Sequence, residues 1–316
     1  MASRGQGHAP AAEGGRDRRV LLGILFMCLS AMIFPFMNGL VQLLSRDYPS
    51  EQIIWARTSS HLLVALLWLL PSQGVGALRS RRPWLQILGS VMLVTSTSMF
   101  FIGVKDVPLA KAAAISFTAP FFVALLAWPF LGERIRGSRL LAVAIGFAGV
   151  LIVIRPGAEV VQWASILIIG SAACYAVYQI VARRVAGFDR PETSVMYSAL
   201  VGTIVMSAIV PWVWVWPKSP LDAVLMLGLG VLGASGHYCV VRSLAYAEAN
   251  IVSPFQYAQI VGSVAIGWAI SGLLPDLYTW IGAAVICLAG IYIAVTQTRR
   301  TPAASAIFTE RPVRPD

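Results

Sequence analysis

Leu141-Ala-Val-Ala-Ile-Gly-Phe-Ala-Gly-Val-Leu-Ile152 and Gly282-Ala-Ala-Val-Ile-Cys-Leu-Ala-Gly-Ile-Tyr-Ile293 are the two stretches on which the fold turns. At an offset of 141 residues, Ala142, Ile145, Ala148, Gly149 and Ile152 fall on Ala283, Ile286, Ala289, Gly290 and Ile293. The same offset carries Asn38 onto Gln179, Gly89 onto Gly230 and Ala124 onto Ala265. Any one match is weak, because apolar helices resemble each other by composition. One constant offset over more than 100 positions reads as an internal repeat.

Both stretches are uncharged, and they are typical of the chain. Of its 316 residues 58% are apolar and 12% charged, and the mean hydropathy is +0.75. A soluble domain carries roughly 45–50% apolar and about 25% charged residues, and this excess would leave large apolar patches in water. Apolar runs long enough to cross the hydrocarbon core recur ten times, at 20–43, 52–71, 84–104, 109–131, 137–154, 161–182, 193–214, 221–243, 250–273 and 277–296. Pro, Gly or charge marks the breaks, as at Arg79-Ser-Arg-Arg-Pro83 and Pro275-Asp276. The runs are continuous rather than alternating, which excludes a β-barrel. The first follows a basic segment, Arg16-Asp-Arg-Arg19, but lacks an A-x-A-like cleavage site and reads as a membrane helix rather than a signal peptide.

The net charge of +10 belongs to membrane orientation rather than to nucleic acid, because the basic residues lie in twos and threes between apolar runs. With ten crossings, the tails and even-numbered loops hold 18 Lys and Arg and the odd-numbered loops hold 5. Arg57, inside the second run, completes the 24. The bias puts both termini in the cytoplasm. The expected architecture is an all-α integral membrane protein of the inner membrane, with ten transmembrane helices as two inverted five-helix repeats. Residues 1–19 form an N-terminal tail, 20–155 the first repeat, 161–296 the second and 297–316 a C-terminal tail. An odd number of crossings per repeat inserts the second copy upside down, an architecture of secondary transporters with the substrate site near the midplane.

Several motifs then carry a family resemblance. They are Val107-Pro-Leu-Ala-Lys-Ala-Ala-Ala114 running to Ala119-Pro120, Phe130-Leu-Gly-Glu-Arg134, and Gly146-Phe-Ala-Gly149 in the first half. In the second half they are Gly236-His-Tyr238, Arg242-Ser-Leu-Ala-Tyr246, Ser253-Pro-Phe-Gln-Tyr257 and Leu274-Pro-Asp276. Over about residues 20–296 the chain resembles the ten-helix EamA-type members of the drug/metabolite transporter superfamily. The resemblance implies transport of a small solute, in a family that moves amino acids, nucleotide-like metabolites, vitamins and other compounds in either direction. Gln42 stands where relatives often have Lys, and Leu273-Leu274 replaces the Gly132-Glu133 pair in the second half, so roles tied to those groups are not carried over.

All 14 acidic residues lie in tails, loops or helix ends. No carboxylate sits at mid-membrane depth, where a proton relay or cation site would place one. The ionisable side chains that enter the membrane are basic: Arg57 about six residues into the second run, and His61 one turn deeper on the same face. Arg57 either snorkels to the interface or forms a cationic wall for a carboxylate or phosphate, with Trp55 close by. Asn38 and Gln42 share a face of the first helix, and Tyr175 and Gln179 a face of the sixth, near Tyr178. His237 and Tyr238 lie on the eighth helix, Gln256 and Tyr257 on the ninth, and Lys111 starts the fourth. Each of these residues has hydrogen bonding between helices as its plainer role. Together they supply the polar groups and aromatic surfaces of a small-molecule site.

Neither a phosphate loop of the form G-x-x-x-x-G-K-[ST] nor a metal-ligand spacing occurs, and no cofactor is expected. Cys28, Cys174, Cys239 and Cys287 fall singly inside apolar segments as small core residues. The expected function is secondary transport of a small zwitterionic or anionic metabolite by alternating access. The alternatives are export of drugs or of cationic or neutral metabolites and, more remotely, an intramembrane enzyme or an assembly factor. The partners expected are the solute and the lipid bilayer, with no nucleic acid, and a monomer or a homodimer fits equally.

Overall fold

In a computed structural model, residues 10–74, 79–131, 137–155, 162–185, 188–247 and 249–298 are described. They form twelve α-helices and no strand. The helices are α1 (Pro10–Leu44), α2 (Ser50–Gln73), α3 (Pro83–Val104), α4 (Leu109–Ser116), α5 (Ala119–Leu131) and α6 (Gly137–Ile154). The second half supplies α7 (Gln162–Val185), α8 (Pro191–Ile209), α9 (Pro220–Tyr246), α10 (Ala249–Val252), α11 (Ala258–Ser271) and α12 (Leu277–Thr298). Proline opens α3, α8 and α9, where its missing N–H would lack a partner in any case.

Seven stretches among the described residues are long and apolar enough to cross a membrane: Arg18–Leu44, Pro83–Val104, Leu109–Phe130, Trp163–Val185, Glu192–Trp212, Pro220–Leu244 and Leu277–Val295. Leu140–Ile154 is a shorter apolar helix. The other two expected segments also fold as helix. Arg57-Thr-Ser-Ser-His61 interrupts α2 with a polar stretch, and α11 has only 14 residues.

Two expected segments are not single helices. The fourth breaks at Phe117-Thr118 between α4 and α5, and the ninth passes from α10 through a 3-10 turn, Ser253–Tyr257, into α11. Pro120 and Pro254 lie at these breaks and lack the N–H that a continuous helix needs. α1 and α5, by contrast, run through Pro35 and Pro129. The two breaks meet, with the rings of Phe117 and Tyr257 4.6 Å apart. α1 also starts earlier than expected, at Pro10, within the segment read as a tail. Glu133, Arg134 and most of the loop motif around them lie outside the described residues.

The halves interlock rather than sit side by side. α1 packs on α9 and α3 on α7; α2 packs on α9 and α3 on α8; α1 packs on α11 and α5 on α7. α2 meets α8, α4 meets α11 and α6 meets α12. Small residues allow the closest crossings. A Cβ on Gly282 of α12 would come 2.6 Å from the Gly149 carbonyl of α6, so only glycine fits there. Two serines bridge α3 and α7: Ser96 Oγ donates to the Ser171 carbonyl at 2.9 Å and Ser171 Oγ to the Ser96 carbonyl at 2.8 Å. At one end Gln52 clamps Val215, donating to its carbonyl at 2.7 Å and accepting from its N–H at 2.9 Å. At the opposite end Asp189 accepts from Ser80, from the Arg81 backbone at 2.7 Å and from Gln86 at 2.9 Å. Burial raises the Asp189 carboxyl pKa, but these donors outweigh it and hold the group below its ordinary 3.8.

Candidate functional site

The polar groups that reach the bundle interior converge where α2 crosses α9, with α3 and α1 alongside. Arg57 lies on α2 against the glycine face of α9. A Cβ on Gly233 would sit 3.6 Å from its Nε and 3.7 Å from one terminal nitrogen, ordinary van der Waals contact, so the guanidinium packs directly against this part of α9. The other terminal nitrogen is 3.5 Å from Thr97 Oγ1 on α3, and the Phe101 ring centre is 5.7 Å from the guanidinium carbon. Arg57 Nε is buried and has no acceptor among the described residues. Tyr175 of α7 is within electrostatic reach of the guanidinium.

One turn along α2, His61 stacks on His237 of α9 with ring centres 6.3 Å apart and planes 18° apart. Phe34 of α1 meets His237 edge-on at 5.3 Å. Gly230 makes this junction: its absent side chain would collide with Ser60 and with the backbone of Arg57 and His61. The cluster thus holds one guanidinium and two imidazoles beside Phe34 and Phe101, with the Tyr175 phenol within electrostatic reach. The carboxylates with described partners are elsewhere. Asp47, Asp189, Asp222 and Asp276 bind loop and helix-end groups.

The expected residues therefore divide. Arg57, His61 and His237 come together, while Tyr175 of α7 lies within electrostatic reach of Arg57 and holds its ring 5.7 Å from that of Tyr178. Asn38 is buried on α1, and Gln179 is half-buried on α7. Trp55 lies further toward the start of α2, where its indole N–H donates to Ser207 at 2.9 Å and its ring meets Trp214 at 5.6 Å. Gln42 turns away and donates to the Val104 and Val107 carbonyls at 3.0 and 3.2 Å, tying down the α3–α4 turn. Tyr238 faces outward beside Trp68 and under Arg242, because a neighbour of His237 along a helix points about 100° away from it. Gln256 is exposed. Tyr257 packs at the break in the ninth segment, its hydroxyl against Gly290. Lys111 lines a separate cavity near the start of α4.

Sequence reasoning missed Thr97, Phe101 and Phe34. The polar run Thr95-Ser-Thr-Ser98 inside an apolar helix was the available signal for the first. Nothing in the local sequence distinguishes the two phenylalanines from other core residues.

Residues 21–155 and 162–296 each match the EamA-like transporter family. The chain is 29% identical over 284 residues to a riboflavin transporter of Rhizobium johnstonii, covering 89% of this chain and 94% of that one. It is 28% identical over 280 residues to the pseudopaline exporter CntI of Pseudomonas aeruginosa, covering 87% and 96%. An S-adenosylmethionine uptake transporter of Rickettsia conorii is 25% identical over 236 residues, covering 75% and 80%. A crystal structure of a protein with 18% identity superposes with a TM-score of 0.62 over 90% of this chain and all of its own, which supports the fold alone. The chain belongs to the EamA-like transporter family of the drug/metabolite transporter superfamily, and it is a multi-pass membrane transporter of small metabolites, not an enzyme.

Proposed function

We propose that the chain crosses the inner membrane ten times as two inverted repeats, residues 20–155 and 161–296, with both termini in the cytoplasm. The double family match supports the repeat. So does the packing: when the two halves are exchanged, α1 on α9 becomes α7 on α3, α2 on α9 becomes α8 on α3, and α1 on α11 becomes α7 on the fourth segment. The 18-to-5 charge split supports the orientation. The exposed Trp84, Trp163, Trp212 and Trp216 stand at helix ends or in a loop, as an interfacial aromatic belt would.

The cargo in this reading is a small zwitterionic or anionic metabolite whose carboxylate or phosphate binds at Arg57, with His61, His237 and Tyr175 around it. The observation that carries it is the buried Arg57 Nε with no acceptor, in a cluster where no carboxylate touches the guanidinium among the described residues. A charge at membrane depth is costly without a counter-group, and an anionic cargo supplies one. Phe34, Phe101 and Tyr175 offer ring surfaces suited to an aromatic or nucleotide-like solute, and relatives are named for riboflavin and S-adenosylmethionine.

A thermal-shift screen against amino acids, nucleotide derivatives and vitamins tests the cargo, because ligand at 100 times its Kd stabilises by about 2.7 kcal/mol. Stabilisation by anionic or zwitterionic members that Arg57→Gln abolishes supports the reading; stabilisation by cations alone overturns it. For orientation, Lys218→Cys places a thiol at an exposed position. An impermeant reagent added outside intact cells labels it in the proposed topology. Labelling only from the cytoplasm refutes that topology.

A further inference from the structure

A second polar site lies apart from the Arg57 cluster. The start of α4, the end of α6, α11 and the start of α12 enclose a cavity of about 500 Å³ that shares no lining residue with that cluster. Its volume falls in the range of small-molecule sites, about 300–1,000 Å³. The charges around it are unequally committed. Arg155 pairs with Asp276 and lies 3.8 Å from the Tyr278 ring centre. Asp276 also accepts from the Thr279 backbone at 2.9 Å and from the Thr279 hydroxyl. Lys105 and Asp106 are exposed neighbours at the rim. Lys111, half-buried and unlike Arg155, has no carboxylate opposite it within the described residues: its ammonium reaches only the Ile154 carbonyl, at 3.5 Å.

An independent feature points to an occupant. Ser263 of α11 is fully buried, lines the same cavity, and its hydroxyl has no hydrogen-bond partner among the described residues. Leaving a buried hydroxyl unpaired is unfavourable, and such groups in folded proteins nearly always find a partner. Trp268, on the next turns of α11, adds an aromatic wall. One uncommitted cation, one unpaired hydroxyl and one indole together fit a small anion.

We infer that this cavity is an anion site, taking the carboxylate or phosphate of a small molecule at Lys111 with a second polar contact at Ser263. The site is independent of the Arg57 reading: either can fail alone. Two sources share its chemistry, a soluble metabolite and an anionic lipid headgroup.

The test places a reporter thiol at Ser271, an exposed residue lining the cavity, in a chain whose four native cysteines are replaced by alanine. The protein is reconstituted into phosphatidylcholine vesicles with and without phosphatidylglycerol. Its labelling is timed with an anionic and a cationic methanethiosulfonate, with inorganic phosphate or citrate as competitor at constant ionic strength. The anionic reagent is expected to react faster relative to the cationic one, and Lys111→Gln to lower that ratio about fivefold, as one charge within about 8 Å does in water. Lys111→Arg should retain the ratio, and Arg57→Gln should leave it unchanged. Protection by phosphate or citrate in neutral vesicles that Lys111→Gln removes supports the site with a soluble source. Protection only in phosphatidylglycerol vesicles, again removed by Lys111→Gln, supports it with lipid as the source. No protection in either membrane, or protection indifferent to Lys111→Gln, overturns the inference.

Discussion

Replacing Gly230 with alanine tests whether the α2–α9 contact builds the candidate site. The added Cβ would stand 2.7 Å from the Arg57 carbonyl and closer still to Ser60 Oγ and the His61 backbone nitrogen. Ordinary van der Waals contact begins at 3.4 Å and the His61 nitrogen would be 2.4 Å away, so the helices must part by roughly 1 Å. The main obstacles are backbone atoms, which cannot rotate aside. Overpacking of this kind costs about 1–3 kcal/mol. Gly228, half a turn away on the same helix, is the control. Nothing lies within 4 Å of a Cβ there, and alanine gains up to about 1 kcal/mol of helix propensity over glycine. Thermal unfolding of the purified protein should therefore show opposite signs: Gly230→Ala melts lower, Gly228→Ala unchanged or higher. Gly230→Ala should also weaken binding of any ligand found in the screen, since Arg57 and His61 move with the backbone. Equal melting of both variants and wild type would refute the close crossing.

Ser96→Ala should lower stability by about 0.6 kcal/mol, an average interhelical hydrogen bond in a membrane protein, and Ser171→Ala by a similar amount, both read in the same unfolding assay. Asp189 gives a pH dependence. Its folded pKa lies below the ordinary 3.8, so the carboxylate's contribution is complete above that value and is lost as pH falls through the lower, folded one. The melting advantage of wild type over Asp189→Asn, present at pH 7, should shrink only below about pH 4; a constant difference down to pH 3 would contradict it.

Much of the bundle was legible because ten apolar runs and one repeat offset constrain it heavily. The discontinuities were only half legible. Pro35, Pro120, Pro129 and Pro254 look alike in sequence, yet the chain breaks only at Pro120 and Pro254. What distinguishes them is tertiary: Phe117 and Tyr257 pack against each other at the two breaks, whereas Pro35 is held inside a helix packed on Gly262. In the site, helical periodicity put Arg57 and His61 on one face, and their shared face does point inward. His237 and Tyr238 were grouped by adjacency, which a helix undoes by pointing neighbours to different sides. Gln42 could not be assigned without knowing that the α3–α4 turn lays two carbonyls beside it. The Lys111 cavity draws on segments far apart in sequence, so Lys111 and Gln42 stood out singly and not as parts of one cavity.

The most direct measurement is of Arg57 in transport. Uptake into proteoliposomes is compared for wild type and Arg57→Gln, using a substrate identified by the screen and an uncharged analogue of it. A charge-assisted contact contributes roughly 1.5–3 kcal/mol, which is about one to two decades of affinity at 1.4 kcal/mol per decade. The expected result is a half-saturation concentration raised on that scale for the charged substrate and nearly unchanged for the analogue. Equal losses for both compounds would mean that Arg57 supports the fold rather than the cargo, and would contradict the account.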